Sequence, residues 1–281
     1  MRPERLTALA RKLAGACPDE LGREIAATGS VGAGLADEHS DLELLFLCDG
    51  VPTASDVRAW LESVGATEVL AGQEGSGTWA WCRLDGVEVE PYWGRADEAR
   101  AEVEAIANAE ALEHRRVAFA HVVANTLPLR TSGLFAELRR RLDPYPEPLA
   151  RRLVEHAVSG WEIPSPRLGS ALRNDRAVTE SSLLNEAGRA LRVVFALNRR
   201  WEPPRWKWLA HHAANLEIAP PRLAERVAAS LVEPDAIAAV RLMAELVRDA
   251  LALVPVRIDV ESARIGTNAR LEVLSRREGS S

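Results

Sequence analysis

The chain has 281 residues, enough for one large domain or two ordinary ones. Apolar residues make up 47% and charged residues 27%, the balance of a soluble globular protein. A formal net charge of −6 excludes the globally basic surface by which proteins hold a nucleic acid backbone.

The N-terminal stretch interleaves charge with Leu6, Leu9 and Leu13. That spacing predicts an amphipathic helix over residues 2–15, not a signal peptide. A short strand, Glu24–Thr28, runs into Gly29-Ser30, and residues 31–40 are glycine-rich and polar. Leu42, Leu44, Leu45, Phe46 and Leu47 make the next strand, stopped at Asp49-Gly50. Ser55 is the expected cap of a helix over 56–64, and Thr67–Ala71 reads as a strand. Trp79–Leu84 and Val87–Tyr92 flank Asp85-Gly86, a strong hairpin signal. Residues 96–119 read as helix and Ala120–Leu127 as one more strand.

From residue 133 onward the strand signals end. Helices are expected near 133–142, 147–160, 178–199, 220–231, 234–253 and, more weakly, 261–274. Pro144, Pro146, Pro164, Pro166, Pro203 and Pro204 punctuate them, and the tail from Ser275 reads as frayed. The fold class is therefore α+β: a mixed sheet with flanking helices over 1–132, then an all-α bundle over 133–281. Cys17, Cys48 and Cys82 are too few and scattered for a disulfide framework and read as small hydrophobes in a reducing compartment. No stretch approaches the roughly 18 apolar residues of a membrane span, so a cytoplasmic location is expected.

The chemistry concentrates between Thr28 and Leu44. Residues two apart in a strand face the same way, so Asp41 and Glu43 present two carboxylates side by side while Leu42 and Leu44 turn to the core. Like charges on a core strand repel, and burial disfavours both. A divalent cation removes that cost, and magnesium suits hard carboxylate oxygens while leaving positions for water and phosphate. Gly29 lets backbone N–H groups come close to a phosphate, and Ser30 adds a hydroxyl donor. A third acid is expected from the hairpin, where Glu88 and Glu90 share a face. Ser40 and His39 read chiefly as loop-shaping, with the Ser40 hydroxyl also within the candidate nucleotide-binding set.

Thr28-Gly29-Ser30, then Asp41-Leu42-Glu43-Leu44, then Val87-Glu88-Val89 resemble the signature of the nucleotidyltransferase superfamily related to DNA polymerase β. That signature is an hG[GS] turn, a Dh[DE]h strand, and a third acid on a later strand. The nearest resemblance is to aminoglycoside and lincosamide nucleotidyltransferases, which also carry a helical domain. The resemblance implies that Asp41 and Glu43 hold magnesium, two ions in all. It makes Glu88 the third ligand and base, with Glu90 as the fallback. It further implies transfer of a nucleoside monophosphate, AMP from ATP, to a hydroxyl of a small molecule, with release of pyrophosphate. The rival reading is a regulatory or antitoxin-like enzyme acting on a protein or an RNA end, and the acidic charge disfavours RNA.

In the second half, Leu197 through Leu209 resemble a helical-domain motif of some bacterial nucleotidyltransferases, with Lys207 as a point charge for the triphosphate. Trp206 and Trp208 read as packing residues. Asp175, Glu180 and Glu186 are candidate acceptor-pocket acids, though capping or solvation suits each of them better. Arg151 and His156 have the RxxxxH spacing of a helical ribonuclease type, and Arg116 and His121 repeat it, which in an arginine-rich chain reads as chance.

Overall fold

The computed structural model describes residues 3–161 and 165–278, so Pro164 and the last three residues of the tail lie outside the described residues. Two compact units are present: Met1–Ala111 with Ala118–Pro144, and Leu112–Val117 with Tyr145–Ser281.

The first unit begins with α1 (Pro3–Ala16), β1 (Glu24–Ala27), the single turn α2 (Gly29–Gly32) and β2 (Leu42–Cys48). It continues with α3 (Ala54–Ser63), β3 (Thr67–Glu74), β4 (Gly77–Leu84), β5 (Val87–Arg95) and α4 (Ala96–Ala107). The last elements are α5 (His114–Ala124), whose first residues belong to the second unit, β6 (Leu127–Arg130) and α6 (Leu134–Leu142). The strands form one sheet in the order β3-β4-β5-β2-β1-β6. Among the described residues, only the central β2–β5 pair is parallel. The α+β half followed by an all-helical half is thus the observed architecture.

Alternation explains the central strands. In β2, Leu42, Leu44 and Phe46 are buried in the cluster that includes Leu6, Leu9 and Leu13 of α1 and Val57, Trp60 and Leu61 of α3. In β5, Val87, Val89, Pro91 and Trp93 are buried while Glu88, Glu90 and Tyr92 are exposed. Phe46 stacks on Trp93 at 4.4 Å between centroids, and Trp60 meets both rings edge-on. The Trp93 indole donates to the Leu21 carbonyl at 2.8 Å, so its one polar atom is satisfied. The three cysteines are buried; burial pushes the Cys17 thiol up to about 12 and those of Cys48 and Cys82 up to about 11. They are inert core residues.

Local signals account for the turns. The β4–β5 hairpin turns at Asp85 (φ 52°) and Gly86 (φ 77°), both left-handed, as the Asp-Gly pair predicts. The α3 cap is Thr53, not Ser55. Thr53 accepts from the Asp56 backbone N–H at 3.2 Å, and the Asp56 carboxylate accepts from the Thr53 N–H at 3.3 Å, a capping box. Thr53→Ala is expected to lower stability by about 1 kcal/mol. Ser55→Ala, on an exposed side chain, leaves the urea midpoint unchanged.

Two expectations are corrected. Residues 96–119 are not one helix but α4 and the start of α5, and the strand expected over Ala120–Leu127 is mostly the end of α5, with β6 starting only at Leu127. The reason is visible in the burial: Val117, Ala120 and Val123 are buried at helical spacing, and that packing overrides the β-branched Val122-Val123. The helix expected at 133–142, α6, lies in the first unit, where it packs on α4 with Arg100 paired to Glu137 and Arg141 to Glu104.

The second unit contains α7 (Glu147–Val158), α8 (Ser165–Leu172), α9 (Arg176–Leu197), α10 (Leu209–Ala214), α11 (Leu223–Val232), α12 (Ala236–Ala252) and α13 (Glu261–Glu278). The long α9 is its axis: α7, α8, α11 and α12 all pack against it. Its buried side chains include Leu183, Ala187, Leu191 and Val194, a helical stripe.

Candidate active site

Register brings the acids together. In the parallel β2–β5 pair, Glu43 stands beside Glu90. Asp41 lies one two-residue step before Glu43 and shares its face. Asp41, Glu43 and Glu90 each offer a carboxylate oxygen, and these oxygens lie within 4.8 Å of one another. Asp41 and Glu43 are half-buried, and Glu90 is exposed at the rim. Such a set suits a hard divalent cation, which would offset the mutual repulsion of the three charges.

The glycine turn is built against this cluster. The Thr28 backbone N–H donates to the Glu43 carbonyl at 3.0 Å, so the chain leaving β1 is tied to β2 at the acid itself. Gly29 then takes φ +55°, and a Cβ placed there would sit 1.4 Å from Glu43 Oε2. The carboxylate occupies the space that only glycine leaves empty. Gly29→Ala therefore faces both a left-handed backbone, costing on the order of 1–2 kcal/mol, and displacement of Glu43. The expected result is a protein that folds with a lower melting temperature and loses divalent-cation binding, measured by calorimetric titration.

Ser30 follows Gly29 in the turn and is half-buried. The Ser40 hydroxyl is engaged in the loop: it accepts from the Asp37 N–H at 2.9 Å and donates to the Asp37 carboxylate at 3.0 Å. The His39 N–H and the Ser40 hydroxyl together hold the Asp37 carboxyl below the usual carboxylate range. Glu88, the preferred third acid from the sequence, is not in the cluster. It faces Arg83 of β4 and accepts from it at 2.6 Å, because β4 pairs Arg83 with Glu88 while β2 pairs Glu43 with Glu90. Lys207 is exposed on the second unit, after a 3₁₀ turn at Pro204–Trp206. Asp175 caps α9, Glu180 pairs with Arg176 at 3.1 Å, and Glu186 is buried against Arg270. Arg189 and Arg192 of α9 belong to no motif, yet they line a cleft in the second unit. Their spacing with Ser182 and Asn185 is the one signal that marks them.

Among known proteins, a family described as a domain of unknown function (DUF4037) matches residues 112–209. No curated protein matches the chain. A solved nucleotidyltransferase-like protein from Exiguobacterium sibiricum 255-15 is 11% identical, covering 98% of this chain and 91% of its own, with a TM-score of 0.37. A cytoplasmic RNA terminal U-transferase is 21% identical over 58% of this chain, with a TM-score of 0.28. The chain spans 42% of that enzyme's length.

Proposed function

We propose that the first unit is a magnesium-dependent nucleotidyltransferase that moves a nucleoside monophosphate, AMP from ATP, onto a hydroxyl of a small molecule. The observation that carries this reading is the convergence of Asp41, Glu43 and Glu90 from two parallel strands beside the Gly29 turn. Three carboxylates of graded exposure fit magnesium, which takes few protein ligands and shares the rest of its positions with phosphate and water. When bound, the metal neutralises phosphate charge as the α-phosphorus is attacked.

The protein's own groups divide the remaining work. Asp41 and Glu43, half-buried and fixed by the sheet, would hold the cation. Glu90, at the rim, would add one oxygen to that set and use its other oxygen to accept the proton of the acceptor hydroxyl. The acceptor oxygen bonds to the α-phosphorus as the bond to the β-phosphate breaks, and pyrophosphate leaves with its electron pair. Gly29 and Ser30 would bring backbone N–H groups and a hydroxyl to the phosphates.

An aminoglycoside-like or lincosamide-like compound is the proposed acceptor class, and Asp175, Glu180 and Glu186, used in capping and ion pairing, are not the acids that would hold its amino groups. The test is incubation with α-labelled triphosphates, magnesium and a panel of lincosamides, aminoglycosides, candidate proteins and RNA. Magnesium-dependent label on a small molecule is the expected result. Label on a protein or RNA end would move the acceptor to the regulatory reading. Calorimetry showing no magnesium-dependent nucleotide binding would end the proposal.

A further inference from the structure

The second unit holds a cleft of about 860 Å³ that the reading above does not use. One wall is a polar stripe of α9: Ser182, Asn185, Arg189 and Arg192 recur at helical spacing on a single face of that helix. His156 of α7 and His114 stand among the same lining residues, with Trp206. No carboxylate is among the described lining residues.

The positive charge is only partly compensated. Glu202, 3% exposed, lies 3.3 Å from His114 Nδ1 and 3.6 Å from Arg192 Nε. Its other oxygen accepts from the Trp206 indole at 3.0 Å. One buried acid, Glu202, therefore stands against two arginines, with Glu113 as a further acid acting on His156. Among the described residues, Arg189 donates to the Ala157 carbonyl, 3.0 Å from Nη1, and to no other acceptor, although a guanidinium carries five N–H donors. Burial, then Arg192 and Arg189, hold the His156 imidazole below its ordinary range, as an electropositive cavity would.

The walls are shaped by close approach. A Cβ on Gly160 would fall 2.1 Å from Arg189 Nη1, and a Cβ on Gly188 would fall 3.0 Å from the Trp206 ring. Glycine at the first position lets the guanidinium lie flat against the chain. Glycine at the second seats the indole against α9.

We propose that this cleft is a second binding site, for a small phosphate-bearing anion, with Arg189 as its main anchor. Forked guanidinium donors match phosphate oxygens better than a single point charge does. Two arginines three apart on one helix face, with His114 and His156 among the same lining residues, offer several donors to one ligand. A cleft of this size holds a ligand of nucleoside-monophosphate dimensions, and Trp206 and Leu184 supply apolar wall. The site needs no divalent cation, which separates it from the carboxylate cluster of the first unit.

The test uses the full chain in excess EDTA, so that the first unit's carboxylates repel phosphate. AMP, inorganic phosphate and adenosine are titrated in by calorimetry. AMP and phosphate are expected to bind and adenosine is not. Arg189→Ala and Arg189→Gln, checked for native circular dichroism, are expected to weaken AMP binding about tenfold or more. Glu43→Gln, in the first unit, should leave it unchanged. Absence of binding by both phosphate and AMP would overturn the proposal, as would adenosine binding as tightly as AMP. So would unaltered AMP affinity in both well-folded Arg189 variants. None of these outcomes touches magnesium-dependent nucleotide binding, which is measured separately without EDTA.

Discussion

Glu90→Gln is expected to lower nucleotidyl transfer by about two to four orders of magnitude, while Glu88→Gln stays within about twofold of the parent protein. The two residues lie on one strand, on one face, two positions apart, so composition, strand propensity and local charge barely distinguish them. Register separates them. Glu90 stands beside Glu43, whereas Glu88 stands beside Arg83 and is neutralised by it at 2.6 Å. Glutamine at 90 keeps shape but removes both a metal-binding charge and the proton acceptor. Glutamine at 88 loses an exposed ion pair, worth little in water. Equal losses at the two positions would mean that the pleat facing the chemistry has been misassigned. Steady-state pyrophosphate release measures both.

The second large effect is on stability. Glu186 of α9 and Arg270 of α13 are 2% and 1% exposed, and Arg270 Nη1 donates to both carboxylate oxygens at 2.9 Å. Two charges have been taken out of water to form this pair, and the Arg270 Nε and Nη2 atoms make no hydrogen bond among the described residues. Removing Glu186 strands the Arg270 guanidinium as a buried charge, and removing Arg270 breaks the pair from the other side. Glu186→Leu or Arg270→Met alone is expected to cost about 3–5 kcal/mol in urea unfolding of the second unit. The double variant, apolar on both sides and of similar volume, should regain most of that loss. Simply additive losses would show that each side chain contributes by packing alone, independent of the pair.

These two cases show what the chain makes legible and what it does not. The acid pair Asp41-Leu42-Glu43 ahead of an apolar run could be read directly, because alternation is a local property, and the observed burial of Leu42 and Leu44 follows it. The Asp85-Gly86 hairpin was equally readable, since its left-handed turn needs those residue types. The choice between Glu88 and Glu90 was not, because it depends on how β5 slides against β2, two strands separated by about forty residues of chain. Glu186 posed the same difficulty: its Arg270 partner is 84 positions away, so a helix acid that reads locally as solvated or capping is instead buried in the core. The misread strand at Ala120–Leu127 has a different origin. Its two valines favour β locally, while the helical spacing of Val117, Ala120 and Val123 emerges only once the buried face is known.

Manganese binding reads the carboxylate cluster most directly. Without nucleotide, Mn²⁺ is titrated into the parent protein, Glu90→Gln and Glu88→Gln, and the free-ion signal is followed by electron paramagnetic resonance. The parent and Glu88→Gln proteins should sequester the ion equally, and Glu90→Gln should bind it about tenfold or more weakly. Manganese binding in Glu90→Gln as tight as in the parent would contradict a divalent-cation site built from Asp41, Glu43 and Glu90.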